Sequence, residues 1–279
     1  MNRLACILGV CLGLVGDEHG ALESIGRLAH EPIREASGIV ASRKHAGIFW
    51  VLNDSGNQPA IFAVRRDGTL VREFRVAAPN VDWEAIAIDD DGFLYLGDIG
   101  NNFGRLPVRA VYKIAEPDPT RSAPVKPLPV VAAVHYRFDA AGRFDAEALF
   151  VDSHKHVFIV SKTADHREAE LFRIEFNPAA TLFKPAVPTR VGVIPGFIEQ
   201  VTGADITPDG LRLAVCSYGV LRVYEQSRGA ASGWRRVGEL KFTSDGVEGI
   251  CWDGDDLILC SESRHLYRVR PAKWSLKPE

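Results

Sequence analysis

Residues 82–102, DWEAIAIDDDGFLYLGDIGNN, read as a strand, a tight turn, a second strand and a polar loop. Ile86 and Ile88 open the first strand, Asp91-Gly92 supplies the turn, and Phe93 to Leu96 form the second strand. Four more stretches align with it: 34–57, 145–165, 201–219 and 247–263. Each begins with a short polar residue or a glutamate, then a small residue, then an aliphatic. The starts are Ser37, Glu84, Glu147, Thr202 and Glu248, spaced 47, 63, 55 and 46 residues apart.

A third apolar strand follows each pair, at 61–64, 111–114, 171–174, 221–224 and 266–269. A more polar fourth strand follows the first four units, near 71–76, 131–138, 190–194 and 235–240. None follows the fifth. Ser24 to Leu28 stand as far ahead of Ser37 as a fourth strand stands ahead of the later repeats. An N-terminal strand can therefore complete the last sheet and leave no open edge. The inner strands are apolar on both faces, as sheets packed face to face require. The pattern predicts an all-β chain, a single β-propeller of five four-stranded blades over residues 22–272. Six blades would need a unit that the sequence does not show.

The 279 residues are 46% hydrophobic and 25% charged, with a formal net charge of −3. No global field points to nucleic acid or an acidic membrane. Leu4 to Val15 is an apolar run behind Asn2-Arg3, too short to span a bilayer and suited to a secretory signal over 1–16. A periplasmic or secreted, monomeric protein is the expectation, with 273–279 as a tail. Of five cysteines, Cys6 and Cys11 would leave with the signal. Cys216, Cys251 and Cys260 read as buried thiols, with a Cys251–Cys260 bridge as the alternative. The histidines show no metal-ligand spacing. The chain has no Gly-x-Ser-x-Gly elbow and no phosphate loop, which disfavours triad hydrolases and P-loop enzymes.

In a propeller the innermost strand starts, and the second strand ends, at one mouth of the central channel. The alignment then predicts two rings there. The inner ring is Ser37, Glu84, Glu147, Thr202 and Glu248, three carboxylates and two hydroxyls on one axis. An all-oxygen set suits Ca²⁺ rather than zinc. Channel waters and backbone amides are the plainer partners for the same residues. The outer ring is Asp54, Asp98, Lys162, Ser217 and Ser261. Of these, Asp54, Asp98 and Lys162 are the candidate catalytic groups, able to bind metal, orient a water or clamp an anionic group. Asp82, Asp145 and Asp205 flank the inner ring and read as braces for loop backbone.

The (E/S)-(A/G)-(I/L) starts and the LYLGDIGNN loop resemble exported bacterial propellers of the SdiA-regulated and phytase-esterase-like groups. That resemblance implies a propeller and export. Five blades with a Ser/Glu inner ring also look like the calcium-dependent apyrase propellers, in which a central Ca²⁺ supports phosphoanhydride hydrolysis. It implies an ion among Ser37, Glu84, Glu147, Thr202 and Glu248. Thr202 departs from a Ser/Glu ring, and phosphate-clamping arginines are not evident; Lys162, Arg105 and Arg167 stand nearest. Gluconolactonase-type propellers have six blades and disagree with the count. Two functions stay open: a metal-dependent hydrolase of phosphoester, phosphoanhydride or lactone substrates, and a non-catalytic binding or scaffold propeller with a structural cation.

Overall fold

The computed structural model describes residues 22–122, 125–138, 145–177, 179–228 and 233–274. The expected signal segment, with Cys6 and Cys11, lies outside this set. The first blade is β2 (Ala36–Ala41), β3 (Ile48–Asn53), β4 (Ala60–Arg65) and β5 (Leu70–Arg75). The second is β6 (Trp83–Ile88), β7 (Phe93–Asp98), β8 (Arg109–Ala115) and β9 (Val130–Tyr136). The third is β10 (Ala146–Val151), β11 (Val157–Ser161), β12 (Glu170–Ile174) and β13 (Thr189–Val193). The fourth is β14 (Val201–Ile206), β15 (Arg212–Ser217), β16 (Val220–Gln226) and β17 (Trp234–Lys241). The fifth joins β18 (Val247–Asp253), β19 (Asp256–Ser261) and β20 (His265–Val269) to the N-terminal β1 (Glu23–Arg27). Within each blade neighbouring strands pair antiparallel.

The fold is thus a five-bladed β-propeller, closed by the N-terminal strand as the repeat spacing predicts. Alternation along the inner strands fills the gaps between blades. On β6, Ile86 and Ile88 pack toward the first blade with Trp50 and Leu96, while Ala85 and Ala87 face the third blade with Leu149 and Ile159. Corresponding layers join the third and fourth blades, the fourth and fifth, and the fifth and first. Trp50, Trp83 and Trp252 are buried in these layers, and each indole N–H donates to an oxygen: Glu116 Oε1, Pro79 O and Asp205 O.

Closure has a second tie. Arg27 N donates to Asp67 O of the first blade, and Leu28 N to Arg264 O of the fifth. After β20 one helical turn, α1 (Pro271–Trp274), sets the buried Trp274 edge-on to Trp252 at 6.1 Å. Cys216, Cys251 and Cys260 are buried free thiols. The Cys251–Cys260 bridge does not form, because Cys251 faces Ile258 and Cys260 faces Gly249 across the hairpin. Such a diagonal places the two residues beyond disulfide reach.

Candidate functional site

The inner ring is built by a repeated irregularity. Ala36 pairs with Asn53, but Gly38 pairs with Leu52, leaving Ser37 bulged out of the ladder. Glu84, Glu147, Thr202 and Glu248 are skipped in the same way in the other four blades. A β-bulge re-aims the side chain of its extra residue, and here five bulges turn five side chains to one axis. All five line the channel entrance. The residue after each bulge is small because the strands converge there. A Cβ on Gly249 would lie 3.0 Å from Ile39 N and 3.2 Å from Gly38 Cα. Below that level Ile39, Ile86, Leu149, Ala204 and Ile250 narrow the channel to about 10 Å³, room for roughly one water. A ligand larger than a water is therefore confined to the mouth.

The ring is unevenly satisfied. Ser37 Oγ lies 2.9 Å from Glu84 O and 3.0 Å from Glu84 Oε2. Thr202 Oγ1 donates to Val247 O at 2.8 Å, tying two blades together. Lys162 Nζ donates to Glu147 Oε1 and, at 3.0 Å, to Tyr218 OH. Among the described residues, Glu84 Oε1 and Glu147 Oε2 are buried with no hydrogen-bond partner, on residues only 4% exposed. Burial, then the neighbouring Glu147 and Asp54, pushes the Glu84 carboxyl well above its ordinary range. Burial pushes Glu147 up to about 7 against the pull of Lys162, and burial and Glu147 push Glu248 up to about 8. Burial works against the Lys162 ammonium, but the Glu147 carboxylate and Tyr218 hydroxyl hold it above its ordinary value.

The outer ring divides by strand parity. Asp98 pairs with Trp83 across the hairpin, as Asn53 pairs with Ala36, Ser161 with Ala146, Ser217 with Val201 and Ser261 with Val247. Residues in this register brace backbone. Asp98 Oδ1 accepts from Val81 N at 3.2 Å and Asp82 N at 2.6 Å, with Tyr112 OH 3.4 Å from Oδ2. Ser217 Oγ accepts from Val220 N, and Ser261 Oγ from His265 N. Asp54 and Lys162 stand one position later, in register with Ile99, Tyr218 and Glu262. Side chains on successive positions point to opposite faces. Asp54, Lys162, Tyr218 and Glu262 accordingly line a mouth cavity of about 230 Å³ with Glu35, Ser37, Glu84, Asn102, Glu147 and Glu248. The outer ring as expected from the sequence mixed the two registers. Asp98, buried and turned to backbone, is not part of the cavity wall.

Asp82 reverses its expected role as a brace. Carboxylate oxygens of Asp54, Asp82 and Glu84 lie within 4.8 Å of one another. Burial, then the Asp54 charge, pushes Asp82 up to about 6; burial also raises Asp54. Gly100 makes the cluster sterically feasible, since a Cβ there would lie 2.5 Å from both Asp82 Oδ2 and Glu84 Oε1. Asp145 and Asp205 do brace backbone, accepting from Asn101 N at 2.7 Å and Trp252 N at 2.9 Å respectively. The sequence signal for Asp82 was its place two residues before the bulge, facing a loop with glycine at position 100.

No family model and no curated protein matches the chain. Among solved structures it is similar to a catalytically inactive virginiamycin B lyase from Staphylococcus aureus with quinupristin. That likeness has 14% identity and a TM-score of 0.43, and covers 87% of this chain and 66% of the other. A selenomethionine form of virginiamycin B lyase from the same organism gives 14% identity and a TM-score of 0.41, covering 84% and 65%. This chain spans about two thirds of the length of those proteins.

Proposed function

We propose that the mouth is a hard-cation site for Ca²⁺ and that the protein is a metal-dependent hydrolase of phosphoester, phosphoanhydride or lactone substrates. One observation carries the cation: Glu84 Oε1, buried and without a hydrogen-bond partner among the described residues, stands beside the Asp54 and Asp82 carboxylates. A buried carboxylate oxygen left unpaired is costly, and a divalent ion with oxygen ligands removes that cost. Glu84, Asp82 and Asp54 would hold the ion, with Glu147 and Glu248 completing the ring. Bound there, it would supply Lewis-acid polarisation of a phosphoryl or carbonyl oxygen. Asp54 lines the open cavity, where its carboxylate would accept a proton from a water beside the ion. Lys162 supplies the ammonium for an anionic group, and Asp98 positions Asp82 through the backbone. This reading agrees with the apyrase-like and phytase-esterase-like resemblance of the repeats, and an exported location suits a carboxylate calcium site of modest affinity.

A second reading keeps the ion and drops the turnover. Asp54 belongs to the first blade and Asp82 and Glu84 to the second, so a cation among them would tie adjacent blades. Calorimetric titration with CaCl₂ and melting curves with and without chelator separate the readings. The expectation is near-stoichiometric calcium, a lower Tm on chelation, and calcium affinity at least ~10-fold weaker in Glu84→Gln. Calcium-dependent turnover of phosphoester, nucleotide or lactone substrates selects the hydrolase. Calcium binding without turnover selects the structural ion, and no calcium binding removes both.

A further inference from the structure

Lys162 belongs to two cavities at once. It lines the mouth, and it lines a lateral cavity of about 440 Å³ between the second, third and fourth blades. Asn102 shares both walls; Thr163, Arg167 and Gln200 line the lateral side together with the carboxylates of Asp145, Asp165 and Glu170, which are held by Asn101 N, Arg167 and Arg190 respectively. The Lys162 ammonium is turned inward, to Glu147 and Tyr218. That contact satisfies one oxygen of Glu147 and leaves Oε2 buried and unpaired. A divalent ion that uses Glu147 must share it with this ammonium. Two cations on one carboxylate repel strongly where water is largely excluded. A lysine has four rotatable side-chain bonds and three donors, so it can give up Glu147 without moving the backbone. Outward it meets the lateral cavity, where Asp165 Oδ2 holds the Arg167 guanidinium through Nε at 2.6 Å.

We propose that Lys162 is a tethered counter-cation, displaced from Glu147 by the entering divalent ion and turned to the anionic, phosphate-type group of a ligand in the lateral cavity. This rests on the cation reading of the mouth. Its consequence is positive coupling: the ion frees the ammonium for the oxyanion, and the oxyanion holds the ammonium away from Glu147. Linkage requires the coupling to be equal in both directions.

Calorimetry with CaCl₂ and methylphosphonate tests it on the intact chain. Calcium should bind the unaltered protein, and methylphosphonate should bind only the calcium-loaded form. Lys162→Met should bind calcium ~10-fold more tightly and lose methylphosphonate; Lys162→Gln serves if the Met variant does not fold. Apparent calcium affinity of the unaltered chain should rise continuously with methylphosphonate concentration, a measurement that needs no variant. If calcium binds the unaltered chain but neither variant binds it more tightly, Lys162 does not compete and the proposal fails while the cation site stands. Methylphosphonate binding that ignores calcium also overturns it. If the unaltered chain takes no calcium, the cation reading fails and Lys162 is the permanent partner of Glu147.

Discussion

Gly100 shows how little separates the carboxylate cluster from an ordinary loop. A methyl group there would press on Asp82 Oδ2 and Glu84 Oε1, both at the ends of side chains that can swing away. Gly100→Ala should therefore lower calcium affinity by ~10-fold or more while moving the Tm by only a few degrees, measured by titration beside melting. The same cluster sets a pH dependence. Carboxyls raised by burial, Asp82 to about 6, Glu147 to about 7 and Glu248 to about 8, keep protons that the unfolded chain has already released. Metal-free stability should fall as pH rises from the ordinary glutamate value of 4.5 through about 8. Below that window both states are protonated and the penalty is absent. Melting curves in chelator across pH 5–9 should show the decline, and calcium should flatten it; a metal-free Tm that rises with pH over this range contradicts the buried-carboxyl account.

Individual strands place these groups. The five bulges set which residue points down the axis, and the small residue after each lets the inner strands meet. Gly249→Val would drive side-chain atoms into the backbone of β2, at Ile39 N and Gly38 Cα, and against Cys260 Sγ 2.8 Å from the Cβ position. Backbone cannot yield as a side chain tip can, so the cost should be on the order of 3 kcal/mol, read from the urea midpoint. The inner ring was legible because the motif itself marks the bulge. The outer ring was not, because its ladder register is invisible in the motif. A one-residue offset between Asp98 and the equivalents of Asp54 exchanges a backbone brace for a mouth-lining group.

At the scale of the whole ring, stability depends on a strand that lies at the opposite end of the chain from its partners. Leu28 is fully buried between the fifth and first blades, and its N–H pairs with Arg264. Leu28→Ala should cost about 3 kcal/mol in urea unfolding, with a single cooperative transition retained, since the loss falls on the seam that closes the ring. Two outer edges are met by short parallel bridges: Val76 pairs with Leu128, and Tyr136 with Ala186, stitching the first blade to a loop of the second and the second to a loop of the third.

The sequence by itself determined the blade count, the closing strand, the doubly apolar inner strands and the membership of the inner ring. Each of these is written in local periodicity and in spacings that recur. Tertiary structure alone decided that Asp82 joins Asp54 and Glu84, that Asp98 serves the backbone, and that Lys162 crosses from the second strand to pair with Glu147. Those contacts join residues from different strands and blades. Their distances follow from bulges, ladder parity and ring closure acting together, and no local pattern in the chain carries that sum.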